Sequence, residues 1–379
     1  MLKRTPLFAT HQKLGARLVE FGGWEMPVQY SSITAEHLAV RNAAGLFDIS
    51  HMGEVRLRGT GAFEFLNHTL TNDLRKLPAG QGQYTLLCNA QGGVIDDLYV
   101  YRVGVAEFLL VINAGRIEAD LAWLEKQLAD WLQRVSVTLK DESAEQGAVA
   151  LQGPRAVEFI DACFPIAAIA GTAVSRPSEL KKNQLALFPC EGRNLLLART
   201  GYTGEDGFEI IAPAEIIQTV WNGLLSVGHS HGLQPAGLGA RDTLRTEMGY
   251  PLYGHELDEQ TTPLEAGLGF FVAFDKADFI GRAALADQKA HGVARKCVAF
   301  KMTAKSAPPR PAYPIWSADA GTVKIGHVAS GTQSPSLGIG IGMGYVPPPF
   351  AQPGTAIEIE IRGHRAAAVV VPKPIYRKA

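Results

Sequence analysis

Asp96 and Asp97 stand side by side in a run otherwise built from apolar and aromatic residues, Val94-Ile95-Asp96-Asp97-Leu98-Tyr99-Val100-Tyr101. Successive strand residues face opposite sides, so at most one of the two carboxylates faces a given cleft. A formal negative charge in an apolar pocket is costly unless a developing cation matches it. The Gly92-Gly93 turn just upstream is a means of presenting one such carboxylate. The plainer alternative is an edge strand whose carboxylates cap backbone amides or meet Arg102.

Other candidates carry the same ambiguity. Arg199 to Glu209, Arg-Thr-Gly-Tyr-Thr-Gly-Glu-Asp-Gly-Phe-Glu, is the most turn-dense motif, and its glycines let backbone approach a ligand closely. Glu209, past these turns at the start of an apolar run, could accept two parallel N–H bonds from an amidine-like edge such as that of a pterin or guanine, or simply pair with an arginine. Arg241 and Arg245 lie one helical turn apart around Asp242 and read either as a salt-bridge cluster or, for Arg241, as a clamp for a substrate carboxylate. Asn113 ends a strand before a strong helix, which suits an N-cap as well as a ligand contact. In Ser50-His51-Met52-Gly53, the histidine reads first as hydrogen-bonded structure, and Met52 offers a polarisable surface to a flat ring.

The elements that must position these residues are legible in outline. Thr34 to Ala44 reads as a helix capped by Thr34, with Leu38 and Ala43 inward and Gly45 as the stop. Strands are expected at 54–58, 84–88, 94–101, 108–112 and 135–139. Ile117, Leu121, Leu124, Leu128 and Trp131 form an amphipathic stripe between the last two. Further strands fall near 185–188, 194–199 and 208–211, then a helix with Ile217, Val220, Trp221 and Leu224 on one face. Another runs from about Gly237 to Met248 and stops at Gly249. After a short helix near 280–290 the last 90 or so residues alternate at period two, as in Val298-Phe300-Met302 and Ile357-Ile359-Ile361, and read as all-β. Gly338, Gly340, Gly342 and Gly344 lack the strand-turn-helix context of a nucleotide loop, so they fit a strand on which something packs closely.

Composition bounds the rest. The 379 residues leave room for two or three domains, and 36 Lys+Arg against 37 Asp+Glu give no electrostatic footprint for nucleic acid. The 40 glycines and 22 prolines suggest a strand-rich chain with many turns. Four scattered cysteines without metal-ligand spacing argue against a disulfide framework and a structural zinc. With no secretory leader or membrane-length apolar run, a cytoplasmic protein is expected, and a metal is not. No Walker A or His-Glu-x-x-His sequence is present.

Several motifs together resemble one family. Asp48-Ile49-Ser50-His51-Met52, Gly92-Gly93-Val94-Ile95-Asp96-Asp97, Leu151-Gln152-Gly153-Pro154, Gly201-Tyr202-Thr203-Gly204-Glu205 and Gly237-Leu238-Gly239-Ala240-Arg241-Asp242-Thr243-Leu244-Arg245 occur in the order seen in aminomethyltransferases, the T-proteins of the glycine cleavage system. Leu252-Tyr253-Gly254-His255-Glu256-Leu257, Thr262-Pro263-Leu264-Glu265 and Ser330-Gly331-Thr332-Gln333-Ser334-Pro335 extend the likeness over essentially the whole chain.

The resemblance implies an α+β fold of three domains, a cloverleaf around a central hole that holds tetrahydrofolate. Residues 1–50 plus 140–250 would form a discontinuous domain, 51–139 an inserted one, 251–284 a connection, and 285–379 a barrel or jelly-roll-like domain. It places the folate-facing carboxylate on Asp97, ring contacts on Met52, Tyr84 and Asn113, the pterin edge on Glu209 and another folate contact on Arg241. The implied reaction moves a one-carbon unit from the aminomethyl-dihydrolipoyl arm of H-protein to tetrahydrofolate, giving 5,10-methylenetetrahydrofolate and ammonia. Relatives of the same fold include demethylases of small amines or sulfonium compounds and a folate-binding iron–sulfur assembly factor. The assembly factor's Lys-Gly-Cys-Tyr-x-Gly-Gln-Glu signature is absent here.

Overall fold

Val55 and Leu57, and the alternating residues of 94–101, do form strands, and the 117–131 stripe does form a helix. The computed structural model describes residues 2–131, 136–318 and 323–378. The chain begins with α1 (Phe8–Lys13), the hairpin β1 (Arg17–Phe21) and β2 (Trp24–Gln29), then α2 (Ile33–Asn42) and β3 (Ala44–Asp48). There follow β4 (Gly53–Arg58), α3 (Ala62–Thr69), β5 (Gln81–Cys88), β6 (Val94–Gly104), β7 (Glu107–Ile112), α4 (Ile117–Trp131) and β8 (Thr138–Asp141). The next stretch carries β9 (Gln146–Gln152), α5 (Ala156–Cys163), β10 (Ala170–Gly171), β11 (Leu185–Cys190), β12 (Arg193–Ala198) and β13 (Gly207–Pro213). It ends with α6 (Ile217–Gly228), β14 (Leu233–Pro235) and α7 (Leu238–Met248). Last come α8 (Arg282–His291), β15 (Lys296–Met302), β16 (Pro314–Ser317), β17 (Lys324–Gln333), β18 (Gly340–Val346), β19 (Ala356–Ile361) and β20 (His364–Val371).

Besides the β1–β2 hairpin, a seven-stranded sheet has the order β10-β11-β12-β13-β9-β3-β14 and a five-stranded sheet the order β5-β6-β7-β4-β8. The remaining strands close a barrel in the order β15-β18-β17-β16-β19-β20. Every pairing in the barrel is antiparallel. The architecture is α+β with an all-β C-terminal domain, as the period-two alternation predicts, closed into a barrel as the family resemblance implies. Among the described residues no helix is long and apolar enough to cross a membrane.

The chain divides into two compact units, Met1–Thr85 with Asp97–Arg241, and Leu86–Asp96 with Asp242–Ala379. In the first, α5 and α6 bury Phe159, Trp221 and Leu224 together with Phe188, Leu197 and Phe208 of the seven-stranded sheet. Each such side chain contributes about 1.5–3 kcal/mol by leaving water. In the second, Phe300, Ile315, Ile359 and Val370 fill the barrel. Its glycine-alternating strand is a packing device: a Cβ on Gly342 would stand 2.6 Å from the Phe300 ring and one on Gly344 2.7 Å from Ile315 Cδ1.

Two sequence expectations change. The cap of α2 is Ser32, not Thr34; its Oγ accepts from Ala35 N at 3.2 Å, and the helix ends at Asn42 rather than running to Ala44. Leu38 is 37% exposed because the buried face is largely polar, holding Glu36, His37 and Arg41 around Val40. Glu36 repays that burial by accepting from the amides of Tyr30 (2.6 Å), Ser31 (2.8 Å) and Gly237 (2.9 Å). The expected 135–139 strand begins instead at Thr138, and Val135 lies outside the described residues.

Candidate functional site

β6 lies second in its sheet, between β5 and β7, so the edge-strand reading of the two carboxylates does not hold. Asp96 is fully buried on one side, whereas Asp97 and Tyr99 are half-buried on the other. The Asp97 carboxylate is held from both flanks. Tyr84, on β5, donates its hydroxyl to Oδ2 at 2.9 Å, and Asn113, at the end of β7, donates Nδ2 to Oδ1 at 3.1 Å and to the Asp97 carbonyl at 2.9 Å. Asn113 occupies an N-cap position but makes no side-chain cap bond there. Arg102 turns elsewhere, donating to the carbonyls of Leu77 and Val105.

The same face of β6 leads to Glu209. Asp97, Tyr99 and Tyr101 alternate along it, the rings of Tyr99 and Tyr101 are 5.1 Å apart, and Tyr101 donates to Glu209 Oε2 at 3.2 Å. At roughly 3.3 Å per residue, Asp97 and Tyr101 are about 13 Å apart along the strand. Thr200 donates to the same oxygen at 2.6 Å. Glu209 therefore pairs with two hydroxyls and not with an arginine. Burial, then the charge of Glu209, pushes the Tyr101 phenol well above its ordinary range, so it stays a donor.

Arg241, at the start of α7, lays its guanidinium 4.7 Å from the centre of the Tyr202 ring, which belongs to the turn-dense motif. Met52 is half-buried, with its amide bonded to Ile49 O at 3.0 Å. Beside it His51 is fully buried, and neither ring nitrogen has a hydrogen-bond partner among the described residues. Phe21 meets it edge-on at 5.6 Å. Burial, then the nearby Arg241 charge, lowers its pKa from 6.5 to about 4, with Asp48 opposing. The histidine is thus neutral at physiological pH, and the hydrogen-bonded role suggested by sequence is not what the structure shows.

All six residues picked from sequence, Met52, Tyr84, Asp97, Asn113, Glu209 and Arg241, lie in the first compact unit. Tyr84, Asp97 and Asn113 are in direct contact, and Glu209 and Arg241 meet other partners. Tyr99, Tyr101, Thr200 and Tyr202 were not singled out. The signal for the first two was on the page, since they follow Asp97 at period two; Thr200 had none. Three of the glycines make room for neighbouring protein, and Gly204 takes the positive φ expected of the turn (82°). A Cβ on Gly201 would collide with the Gln152 side chain, one on Gly207 with Leu151 O, and one on Gly93 with Glu259 O. Arg245 is structural, bound to Asp242 (2.6 Å), Glu256 (3.0 Å) and Ser330 (2.8 Å). Among the described residues no group of three or more His, Cys, Asp or Glu is arranged to hold a metal ion.

The sequence matches the GCVT N-terminal domain over residues 7–276 and the glycine cleavage T-protein C-terminal barrel domain over residues 295–377. An aminomethyltransferase from Caldanaerobacter subterraneus subsp. tengcongensis is 46% identical over 383 residues, spanning 100% of this chain and 96% of that protein. Another, from Desulfitobacterium hafniense, is 44% identical over 377 residues, spanning 100% of this chain and 99% of that protein. The crystal structure of the glycine cleavage system aminomethyltransferase T from Bartonella henselae matches with a TM-score of 0.89 at 34% identity, covering 99% of this chain and 98% of that one. With both domains matched in order and likeness running the full length, the chain belongs to the glycine cleavage T-protein family of aminomethyltransferases.

Proposed function

We propose that the chain is the aminomethyltransferase of a cytoplasmic glycine cleavage system. The one-carbon unit leaves the aminomethyl-loaded dihydrolipoyl arm of H-protein and reaches tetrahydrofolate, giving 5,10-methylenetetrahydrofolate, ammonia and dihydrolipoyl H-protein. The observation that carries this reading is the Asp97 carboxylate, half-buried and oriented by Tyr84 and Asn113, in a chain similar along its whole length to aminomethyltransferases.

The residues suit a reduced folate. No described residue donates to Glu209 Oε1, which leaves an acceptor for the N–H edge of a pterin. When bound, tetrahydrofolate supplies the nucleophilic nitrogen. Asp97 stands as a fixed anion where positive charge develops on the one-carbon unit, and its two donors spare it reorientation during the step. It also accepts or returns a proton at the reacting nitrogens. Met52 gives an apolar contact to the ring, and Arg241, steadied on Tyr202, a cation for an anionic group of the folate.

The three-domain division into 1–50 plus 140–250, 51–139 and 285–379 is part of the proposal. It is supported by the seven-stranded sheet, the five-stranded sheet and the barrel, which draw on these ranges in turn apart from the end of β8.

The experiment is a donor comparison. With ¹³C-aminomethyl-loaded H-protein and tetrahydrofolate, labelled methylenetetrahydrofolate and ammonia form in equal amounts, and methylated amines or sulfonium compounds give neither. Turnover of those small donors with an inert H-protein would make the chain a demethylase instead.

A further inference from the structure

Glu209 has two oxygens in unlike surroundings. Thr200 Oγ1 (2.6 Å) and Tyr101 OH (3.2 Å) both donate to Oε2, and the two hydroxyls are 3.1 Å from each other. An oxygen with two donors has its lone pairs occupied, so an incoming donor edge is met first by Oε1. The closer donor is itself held. The carbonyl of Thr200 accepts from Gln152 Nε2 at 3.0 Å, and Gln152 Oε1 accepts from Thr203 Oγ1 at 2.9 Å. Arg41, buried, donates to Thr203 O at 2.8 Å and to Glu205 at 2.9 Å. Gln152 is nearly inaccessible, and the absence of a side chain at Gly201 is what lets it lie against the turn.

We propose that Thr200 is a specificity-determining positioning residue, which fixes the rotation of the Glu209 carboxylate so that Oε1 reads a donor–donor edge of the 2-aminopyrimidinone class. The inference rests on Glu209 being the ligand-edge residue. Tyr101 is the auxiliary donor; its longer bond can pass from Oε2 to Thr200 Oγ1, freeing one Oε2 lone pair for the ligand without releasing the carboxylate. A carboxylate that already accepts from hydroxyls presents only acceptors, so an analogue with a methyl group in place of the 2-amino group leaves it unmatched.

The test compares binding of tetrahydrofolate and of its 2-desamino-2-methyl analogue by calorimetry in the full chain, for wild type, Thr200→Val, Thr200→Ser and Glu209→Gln, with thermal unfolding as a check on folding. In Thr200→Val the affinity for tetrahydrofolate falls about tenfold while that for the analogue changes less than about twofold, so discrimination shrinks; Thr200→Ser restores it. Equal losses for both ligands, or none, would overturn the positioning role while Glu209→Gln still loses discrimination. If Glu209→Gln itself binds and discriminates like wild type, Glu209 does not read the edge and the inference falls with that assignment.

Discussion

The hydroxyl of Tyr84 and the amide of Asn113 matter to Asp97 through direction more than through charge, since each fixes one carboxylate oxygen. Tyr84→Phe removes one of these donors and leaves the ring. Turnover is expected to fall about tenfold, with tetrahydrofolate affinity within about a factor of two, as read by single-turnover and binding measurements side by side. His51 supplies a second prediction. Its pKa is about 4 in the folded chain against 6.5 for the free side chain, so the unfolded chain binds the extra proton between those values. Stability is therefore lost as pH falls from about 6.5 to 4, by about 3 kcal/mol in all from this group. Urea titrations across that range should show a shallower loss in His51→Leu than in wild type. At this scale the sequence singled out Asp97 only through the family likeness, because strand alternation allows either neighbour to face the cleft. That Tyr101 and Thr200 meet at Glu209 was illegible, since the pairing depends on how β13, β6 and the turn before β13 come together.

β3 owes its position to a buried polar knot at its end. The Asp48 carboxylate accepts from Thr5 Oγ1 (2.7 Å), His11 Nε2 (2.8 Å) and the Ser50 amide (2.9 Å), and Tyr30 OH lies 2.9 Å from the other nitrogen of His11. Burial raises the Asp48 carboxyl, but the hydrogen bond and charge of His11, with Ser50 and Thr5, outweigh it and the net direction is down. Its contribution to stability is present above the ordinary carboxylate value and lost as pH falls through the lowered one. Asp48→Asn leaves the knot short of a charge and is expected to destabilise the fold by about 3 kcal/mol in urea unfolding at neutral pH, loosening the segment that carries His51 and Met52. A variant as stable as wild type would mean the knot does not anchor β3. α4 and α6 bury apolar stripes, whereas α7 buries Thr243, Arg245, Thr246 and Glu247 beside Ala240 and Leu244, and Gly249 with φ 67° ends it as expected. α2 was misread because its inward face is made of Glu36, His37 and Arg41, whose burial is visible only through their partners.

Across the molecule, the all-β character of the C-terminal domain was the most legible part, because period-two alternation marks its strands, whereas their closure into a barrel was implied only by the family likeness. The division into compact units was less so: the strand tip Leu86–Asp96 groups with Asp242–Ala379, through bonds such as Val94 N to Asp258 O (3.1 Å) and Asn89 Nδ2 to Glu259 O (3.0 Å) that leave no mark in composition. The unit boundary falls between Asp96 and Asp97, leaving the whole candidate site in the first unit. The central claim, that this unit uses one oriented carboxylate to move a one-carbon group onto bound folate, is tested most directly by Asp97→Asn. Methylenetetrahydrofolate formation from aminomethyl-loaded H-protein is followed while tetrahydrofolate binding is measured on the same preparation. The account predicts turnover reduced by about 10²- to 10³-fold with binding retained. Near wild-type turnover with folate correctly bound would contradict it.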